Sequence, residues 1–263
     1  NDFMNHRDKI SVLISNYNKS KFLKNSLLNL KKQNYKNIEI ILFDDASTDN
    51  SLQIIKKFKN VQLIVNKKEK SKFPALNQIN AIIECFKIAK GNIICLLDAD
   101  DLFEKNKLSK IKTYFNNYHQ ANSVYNFPKA KKNKFRFIKR QRNIWPTIFP
   151  TSCISIRRKS FKVFLKFIKK KEFPNLEIDA RFTIFSKFYN DEYNLIKDKL
   201  TTYNDDNEGI TSNVSKYSFN WWLRRKQAFQ YMDFILHLKK RKSNFSYDRL
   251  ITNFIGSIIG LFN

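Results

Sequence analysis

Glycine is scarce in this 263-residue chain: there are four, alongside five prolines and three cysteines. So little glycine and proline excludes a collagen-like repeat and a Pro-rich linker protein. Neither a GxGxxG turn nor a GxxxxGK[ST] loop occurs, which sets aside a dinucleotide dehydrogenase and a Walker-type nucleotide hydrolase. Cys85, Cys95 and Cys153 are too few and too scattered for a disulfide framework, and no CxxC pair offers a metal site. Cys85 and Cys95 sit inside apolar segments, where reduced, buried thiols are expected, and that favours a cytoplasmic setting. No apolar run reaches the roughly 18 residues of a spanning helix, and the N-terminus lacks a signal-peptide core. The chain opens on Asn1 rather than Met, so upstream residues are expected. Zinc-knuckle spacing, RNP-like aromatic runs and internal repeats are absent too, and nucleic acid is not an expected partner.

Positive charge and aromatic residues are plentiful. Lys and Arg total 50 against 23 Asp and Glu, a formal net charge of +27, and the chain is 42% hydrophobic and 15% aromatic. That apolar content supports a sizeable core and excludes general disorder. Part of the charge is background, since Lys, Asn, Ile and Phe are over-used throughout, as in an AT-rich coding sequence. A surplus of this size still attracts anionic surfaces and anionic small molecules in a salt-dependent way. The densest basic stretch, Lys129 to Arg142, reads either as a solvated strand pair or as an anion-facing flap.

Apolar runs and helical periodicity alternate along the first hundred residues. Ile10–Ile14, Ile38–Phe43, Val61–Val65 and Ile93–Leu97 are short runs apolar almost throughout, the pattern of strands buried on both faces of a parallel sheet. Between them, Leu23, Ser26, Leu27 and Leu30, then Leu52, Ile55 and Phe58, then Leu76, Ile79, Ile83 and Phe86 recur at helical spacing. Ser47, Thr48 and Asp49 offer N-caps for the middle helix. The prediction is an α/β fold with helices on a mostly parallel sheet. Such sheets bind ligands beyond the carboxyl ends of their strands. Three strands here end in polar clusters: Ser15 to Asn18, Asp44-Asp45, and Asp98 to Asp101.

Later segments read as a helix near Lys105–Phe115, a strand at Ser123–Phe127, helices at Phe161–Ile168 and Ala180–Tyr189, and a strand at Tyr193–Tyr203. A long helix is predicted over Lys216–Lys240. After Lys239-Lys240-Arg241-Lys242, a last helix carries Tyr247, Leu250, Ile251, Phe254, Ile255, Ile258, Ile259 and Phe262 on one stripe. A basic run followed by such a stripe is the composition of an interfacial anchor on an anionic membrane, and equally of a helix packed on the protein body. The expected division is a body over 1–212 (residues 8–115 and 116–212 as its two halves) and a C-terminal helical extension over 213–263.

Asp98-Ala99-Asp100 is the sharpest chemical signal. Two carboxylates one residue apart at the end of a buried strand address the same crevice, one toward a divalent cation and the other toward a ribose hydroxyl. Oxygen ligands of this kind suit Mg²⁺ or Mn²⁺, which in turn holds a diphosphate.

Three blocks in this order, Ile10-Ser11-Val12-Leu13-Ile14-Ser15-Asn16-Tyr17-Asn18, Asp44-Asp45-Ala46-Ser47-Thr48-Asp49 and Gly91-Asn92-Ile93-Ile94-Cys95-Leu96-Leu97-Asp98-Ala99-Asp100-Asp101, resemble the family 2 glycosyltransferases. These are inverting nucleotide-sugar enzymes of GT-A fold, and the likeness is dense over residues 8–115. It implies that Ser15 and Tyr17 lie near the base of the donor, and that Asp45, with Asp44 beside it, accepts from a uracil or other base. Asp98 would contact the ribose side and be a second metal ligand, Asp100 would hold the metal that bridges the diphosphate, and Asp101 would support the acidic turn. Lys72 and Asn80 occupy the region where relatives often carry Arg and Asn near the nucleotide. Relatives have Pro at the position of Ser15 and Gly at that of Ala46.

An inverting transfer needs a general base for the acceptor hydroxyl. His6 lies in the N-terminal lead, and His119 and His237 sit in helix-like polar contexts, which makes each a poor base. The resemblance places an acidic pair at a helix start in the second half, which points to Asp179 as base with Glu177 as the alternative; here Ile178 separates the two acids. Asp179 could instead cap that helix or pair with Arg181. Thr151–Arg158 resembles the strand lining the acceptor cleft. Where relatives often supply a His to the metal or diphosphate, this chain has Asp206. Trp221-Trp222 and Arg224-Arg225 read either as a docking helix or as a grip on an anion.

The implied activity is transfer of a hexose-type sugar from a nucleotide-diphosphate donor, UDP favoured, to a glycan or lipid-linked hydroxyl. The implied setting is cell-envelope polysaccharide or lipopolysaccharide synthesis on the cytoplasmic face of a membrane. Two other classes stand beside it. A nucleotidyltransferase usually shows a Gly-rich signature at its first turn, which is absent. A non-catalytic basic module on the same fold would have lost its DxD acids, and they are present.

Overall fold

The computed structural model describes residues 9–130, 146–169, 172–204 and 214–260. Eight strands form one mixed sheet: β1 (Ile10–Asn16), β2 (Ile38–Asp44), β3 (Val61–Val65), β4 (Ile93–Asp98), β5 (Leu102–Phe103), β6 (Ser123–Ala130), β7 (Ile154–Arg157) and β8 (Leu195–Tyr203). Their order is β3-β2-β1-β4-β7-β6-β8-β5. The half containing β3, β2, β1 and β4 is parallel, as predicted. Beyond it β7 runs antiparallel to both β4 and β6, while β6 and β8 are parallel. The direction of winding reverses at β1, and a crevice opens there past the carboxyl ends of β1, β2 and β4.

Eight helices accompany the strands among the described residues: α1 (Ser20–Lys31), α2 (Ser51–Ile55), α3 (Pro74–Ile88), α4 (Lys107–Asn117), α5 (Arg158–Lys166), α6 (Ile178–Phe188), α7 (Phe219–Leu238) and α8 (Tyr247–Gly260). Alternate strand residues feed two cores, because side chains switch faces at every residue. Val12, Ile14, Ile40, Leu42, Cys95 and Leu97 pack with Leu23 and Leu27 of α1 and Leu108 and Ile111 of α4. Leu13, Ile41, Ile94 and Leu96 pack on the other face with Ile79 and Ile82 of α3, Phe182 and Phe185 of α6, and Phe229 and Met232 of α7. The long C-terminal helix therefore shares the main core.

Two boundaries differ from the periodicity. The helix expected to carry Leu52, Ile55 and Phe58 is only five residues long. Tight turns closed by Phe58 N–H on the Ile55 carbonyl (2.8 Å) and Val61 N–H on the Phe58 carbonyl (3.0 Å) lead straight into β3. Its start is also shifted: Asn50 takes the N-cap position, and Asp49 accepts instead from the N–H groups of Ser20 (2.8 Å) and Ser51 (2.9 Å). The basic segment begins inside β6, where Lys129 pairs with Thr202, and its remainder lies outside the described residues. Gly91 opens β4 where nothing larger fits, since a Cβ there would stand 2.6 Å from Ser11 Oγ and 2.7 Å from the Lys9 carbonyl.

Candidate active site

A cavity of about 410 Å³ occupies the crevice, lined by residues from the ends of β1, β2 and β4 and from three later segments. Ser15, Tyr17, Asp45, Asp98, Asp100, Glu177 and Asp179, scattered over 165 positions, share its wall.

The donor side is built by cross-linked strand ends. Asn18 and Ala46 adopt left-handed backbone conformations (φ 50° and 53°), which turn the two loops toward each other. The Asn18 side chain accepts from Thr48 N–H (2.8 Å) and donates to Thr48 Oγ1 (3.2 Å), while Asn18 N–H donates to Ser47 Oγ (3.0 Å). Asp44 is fully buried behind the wall and does not line the cavity. It accepts from Asn16 Nδ2 (2.7 Å), Ser47 N–H (2.9 Å) and Ser47 Oγ (2.7 Å), so its charge organises the turn that presents Asp45. Asn66 Nδ2 fixes the Asp45 carboxylate at 2.6 Å. The Tyr17 ring is 47% exposed at the rim, with the Lys70 ammonium 3.6 Å from its centre. Lys72 faces solvent beside Phe73 and lies off the cavity, as does Asn80; the first turn of α3 instead contributes Pro74, Asn77 and Gln78.

The acidic turn after β4 is tightly held. Asp98 N–H donates to Ser152 Oγ (2.9 Å), and Gln78 Nε2 donates to Asp98 Oδ1 (2.9 Å). Asp101 is buried, does not line the cavity, and accepts from Asn204 N–H (2.8 Å). Asp100 forms an ion pair with Lys19 at 2.9 Å. Burial, then the neighbouring Asp100 charge, raise the Asp98 carboxyl to about 7 against the opposing Gln78 hydrogen bond and Lys19 charge. Burial and the same acidic neighbours also push Asp101 upward. Beneath them the buried Lys107 ammonium donates to the Ser152 carbonyl and to Thr201 Oγ1 (2.8 Å), and burial lowers it to about 8.

Across the cavity, Asp179 stands in the first turn of α6. It is not paired with Arg181, whose buried guanidinium donates to the carbonyls of Leu176 (2.9 Å), Ile168, Lys169 (3.0 Å) and Phe173. Those bonds clamp the loop that leads into α6. Glu177 is engaged by Arg224 of α7, Nη2 at 2.7 Å and Nε at 3.1 Å. Burial, then the Glu177 charge, raise Asp179 to about 7, opposed by the Ala180 N–H and by Arg224. The turn Thr151–Cys153, whose Ser152 accepts from Asp98 N–H, leads into β7 and places Thr151 on the cavity wall. Asp206 lies outside the described residues.

A family model described as Glycosyl transferase family 2 matches residues 11–188, more than half of the chain. The chain belongs to glycosyltransferase family 2. Over 108 residues this family 2 transferase is 38% identical to an uncharacterized glycosyltransferase of Nostoc sp., covering 41% of this chain and 33% of the relative. Over 100 residues it is 38% identical to the UDP-Glc:alpha-D-GlcNAc-diphosphoundecaprenol beta-1,3-glucosyltransferase of Escherichia coli, covering 38% of each chain. It thus spans about a third of the length of these curated relatives. Among solved structures, residues 1–349 of Staphylococcus aureus TarS in complex with UDP-GlcNAc superpose with a TM-score of 0.65 at 17% identity, over 94% of this chain and 79% of that fragment. A Pyrobaculum calidifontis mannosyltransferase in complex with GDP-Man and Mn²⁺ gives 0.58 at 18% identity, over 90% of this chain and 66% of that one. These two likenesses show the GT-A fold. Family membership leaves the nucleotidyltransferase alternative without support.

Several residues of this transferase site escaped the sequence reading. Lys19 and Lys70 are two lysines among many, and nothing in their local pattern marks them. Gln78 sits at a helical position indistinguishable from a solvated one. Arg224 was visible as half of an Arg pair, but its partner Glu177 is 47 positions away.

Proposed function

We propose that this family 2 glycosyltransferase moves the sugar of a UDP-sugar to a hydroxyl of a glycan or lipid-linked acceptor, with inversion at the anomeric carbon, in cell-envelope glycan synthesis. The observation that carries this reading is one cavity that collects Asp45, Asp98 and Asp100 on one wall and Asp179 on the facing segment. The names of TarS, a poly(ribitol-phosphate) beta-N-acetylglucosaminyltransferase, and of the Escherichia coli undecaprenol-linked glucosyltransferase support the donor class and the envelope setting. The buried, free cysteines are consistent with a cytoplasmic location, where the acceptor would be presented at a membrane surface.

In this reading the donor base stacks on exposed Tyr17 and is recognised by Asp45, with Ser15 beside it and the ribose against Asp98. A divalent cation, Mg²⁺ or Mn²⁺, fits the acidic turn: Asp98 and Asp100 offer hard oxygen ligands on the cavity wall, and their crowding already draws a cation, Lys19, to Asp100. No group of three or more His, Cys, Asp or Glu placed to hold a metal ion exists among the described residues, so phosphate oxygens and water would complete its shell. When bound, the metal would neutralise charge developing on the departing diphosphate. Lys19 and Lys70 add fixed positive charge on that side, and the N-terminal turn of α3 on the wall favours an anion there. Asp179 takes the proton from the acceptor hydroxyl as its oxygen attacks the anomeric carbon. Glu177, locked to Arg224, is a positioning residue that holds the start of α6 and tunes Asp179. The transferase body includes α7, which supplies Arg224.

The direct test is UDP titration with and without Mn²⁺, in the native protein and in Asp100→Asn. Metal should tighten UDP binding in the native protein and leave the variant unchanged. Equal metal enhancement in both would remove Asp100 from the metal site.

A further inference from the structure

The last helix is mounted inside out. Helices of soluble proteins turn an apolar stripe to the core and a polar face to water. Helix α8 meets α7 instead through polar and small residues. Thr252 is fully buried and accepts from Arg225 Nε (3.2 Å); Asp248 pairs with Arg225, Arg249 pairs with Asp233, and Ser257 accepts from Lys226 Nζ (3.1 Å). Gly256 lies against the Lys226 stem, where a Cβ would come within 2.9 Å. Most of its large apolar side chains point away from the body, Ile255 and Ile259 being half-buried. Tyr247 is 76% exposed, Leu250 52%, Ile251 53%, Phe254 70% and Ile258 43%. These positions follow i, i+3, i+4, i+7 and i+11, one continuous stripe, and Phe245 continues it upstream at 70%.

The charge beside this stripe selects its partner. Lys239, Lys240 and Lys242 are exposed in the segment joining α7 to α8, and Arg241, also exposed, is tied to Asp191. The whole chain carries +27. A second copy would bring the same lysines to the contact and a second +27 with them, which opposes association. An anionic lipid surface satisfies both parts: headgroups attract the lysines, and the acyl boundary takes the apolar stripe.

We propose that α8 is an interfacial helix that seats this transferase on an anionic membrane, with Tyr247, Leu250, Ile251, Phe254 and Ile258 at the acyl boundary and Lys239, Lys240 and Lys242 among the headgroups. This deepens the membrane setting proposed above and rests on it, but its geometry is independent of the transfer chemistry. The two fates expected for the tail are then both realised, on opposite faces of one helix.

Flotation of the full chain with phosphatidylcholine vesicles, with and without 30% phosphatidylglycerol, reads the interaction, while UDP binding in the same samples reports on the donor site. The native protein should float with the anionic vesicles and stay behind with the neutral ones. Leu250→Ser/Ile251→Ser/Phe254→Ser should lose at least about tenfold in partitioning, and Lys239→Gln/Lys240→Gln/Lys242→Gln should lose its preference for anionic lipid. UDP affinity should be unchanged in both. Equal flotation of the native and serine-substituted chains would overturn the proposal in favour of bulk charge. Size-exclusion elution as a dimer that the serine variant dissolves, without lipid binding, would overturn it in favour of a second copy. A dye on Phe254→Cys, the native cysteines being buried, should shift to the blue on anionic vesicles even if the serine variant misfolds; an unshifted spectrum on bound protein would equally overturn it. Loss of UDP binding with flotation intact would count against the donor reading alone.

Discussion

Asp179→Asn removes a charge while keeping the side chain's shape, so its effect on stability should depend on pH. An ordinary aspartate titrates near 3.8, and here burial and the Glu177 charge hold Asp179 at about 7. Below 3.8 the group is protonated whether the chain is folded or not, and the substitution is nearly silent. Between 3.8 and about 7 the unfolded chain sheds this proton while the native state keeps it, so native stability falls as pH rises through that window. Above about 7 the full penalty of a buried carboxylate is in place. A rise from 3.8 to about 7 corresponds to an upper bound of about 4 kcal/mol. The carboxyl borders the cavity, whose water screens part of this, leaving about 2 kcal/mol. Asn should therefore raise the thermal midpoint by roughly 4–8 °C at pH 8.5 and by little at pH 4. The same variant should keep UDP binding and lose transfer by at least about 10². An equal change in midpoint at both pH values, or a loss at pH 8.5, would refute the electrostatic argument. Retained turnover would move the base to another residue.

Glu177→Gln removes the second cause of that raised value and frees Arg224 to favour ionised Asp179. With Asp179 as the proposed base working ionised, activity should rise with pH through about 7 in the native enzyme, and this limb of kcat/KM should move to lower pH in the variant. A limb that stays or moves up would contradict the coupling. Lys19→Met removes the cation paired with Asp100, so Mn²⁺ binding without nucleotide, read from the free-ion electron paramagnetic resonance signal, should tighten by about tenfold. Unchanged Mn²⁺ affinity would show that the ion pair and the metal do not compete. Ala46→Gly relieves a left-handed alanine and should stabilise the fold by about 1 kcal/mol in urea unfolding; a net loss would mean that the loop draws more on the stiffness of Ala than it costs.

The parallel half of the sheet was readable because strands buried on both faces leave unbroken apolar runs, and β1 to β4 begin where those runs begin. Polar clusters at three strand ends marked the crevice for the same reason: they interrupt the pattern where the chain leaves the core. The second half was less legible. The antiparallel position of β7 between β4 and β6 depends on pairings that no local spacing encodes. Within the site, Asp44 and Asp45 look alike in sequence, yet one is consumed by Asn16 and Ser47 and the other faces the cavity. Lys72 and Lys70 divide in the opposite sense to the sequence expectation, since two residues of loop decide which one reaches the Tyr17 ring. The tail's periodicity anticipated the exposed positions Tyr247, Leu250, Ile251, Phe254 and Ile258, while Ile255 and Ile259 are half-buried and Phe262 lies outside the described residues; the stripe's direction is set by Thr252, Gly256 and the ion pairs to α7.

Arg224 and Arg225 are consecutive residues that reach in different directions. One guanidinium grips Glu177, two positions from Asp179; the other grips Asp248 and Thr252 on the outermost helix. Trimming the chain after α7, or fusing a bulky tag that pries α8 away, strips Arg225 of Asp248 and Thr252, one peptide bond from the anchor of Glu177. Anyone who edits this region to improve solubility is thereby also adjusting the surroundings of Asp179, the proposed proton acceptor, and turnover should be measured alongside yield.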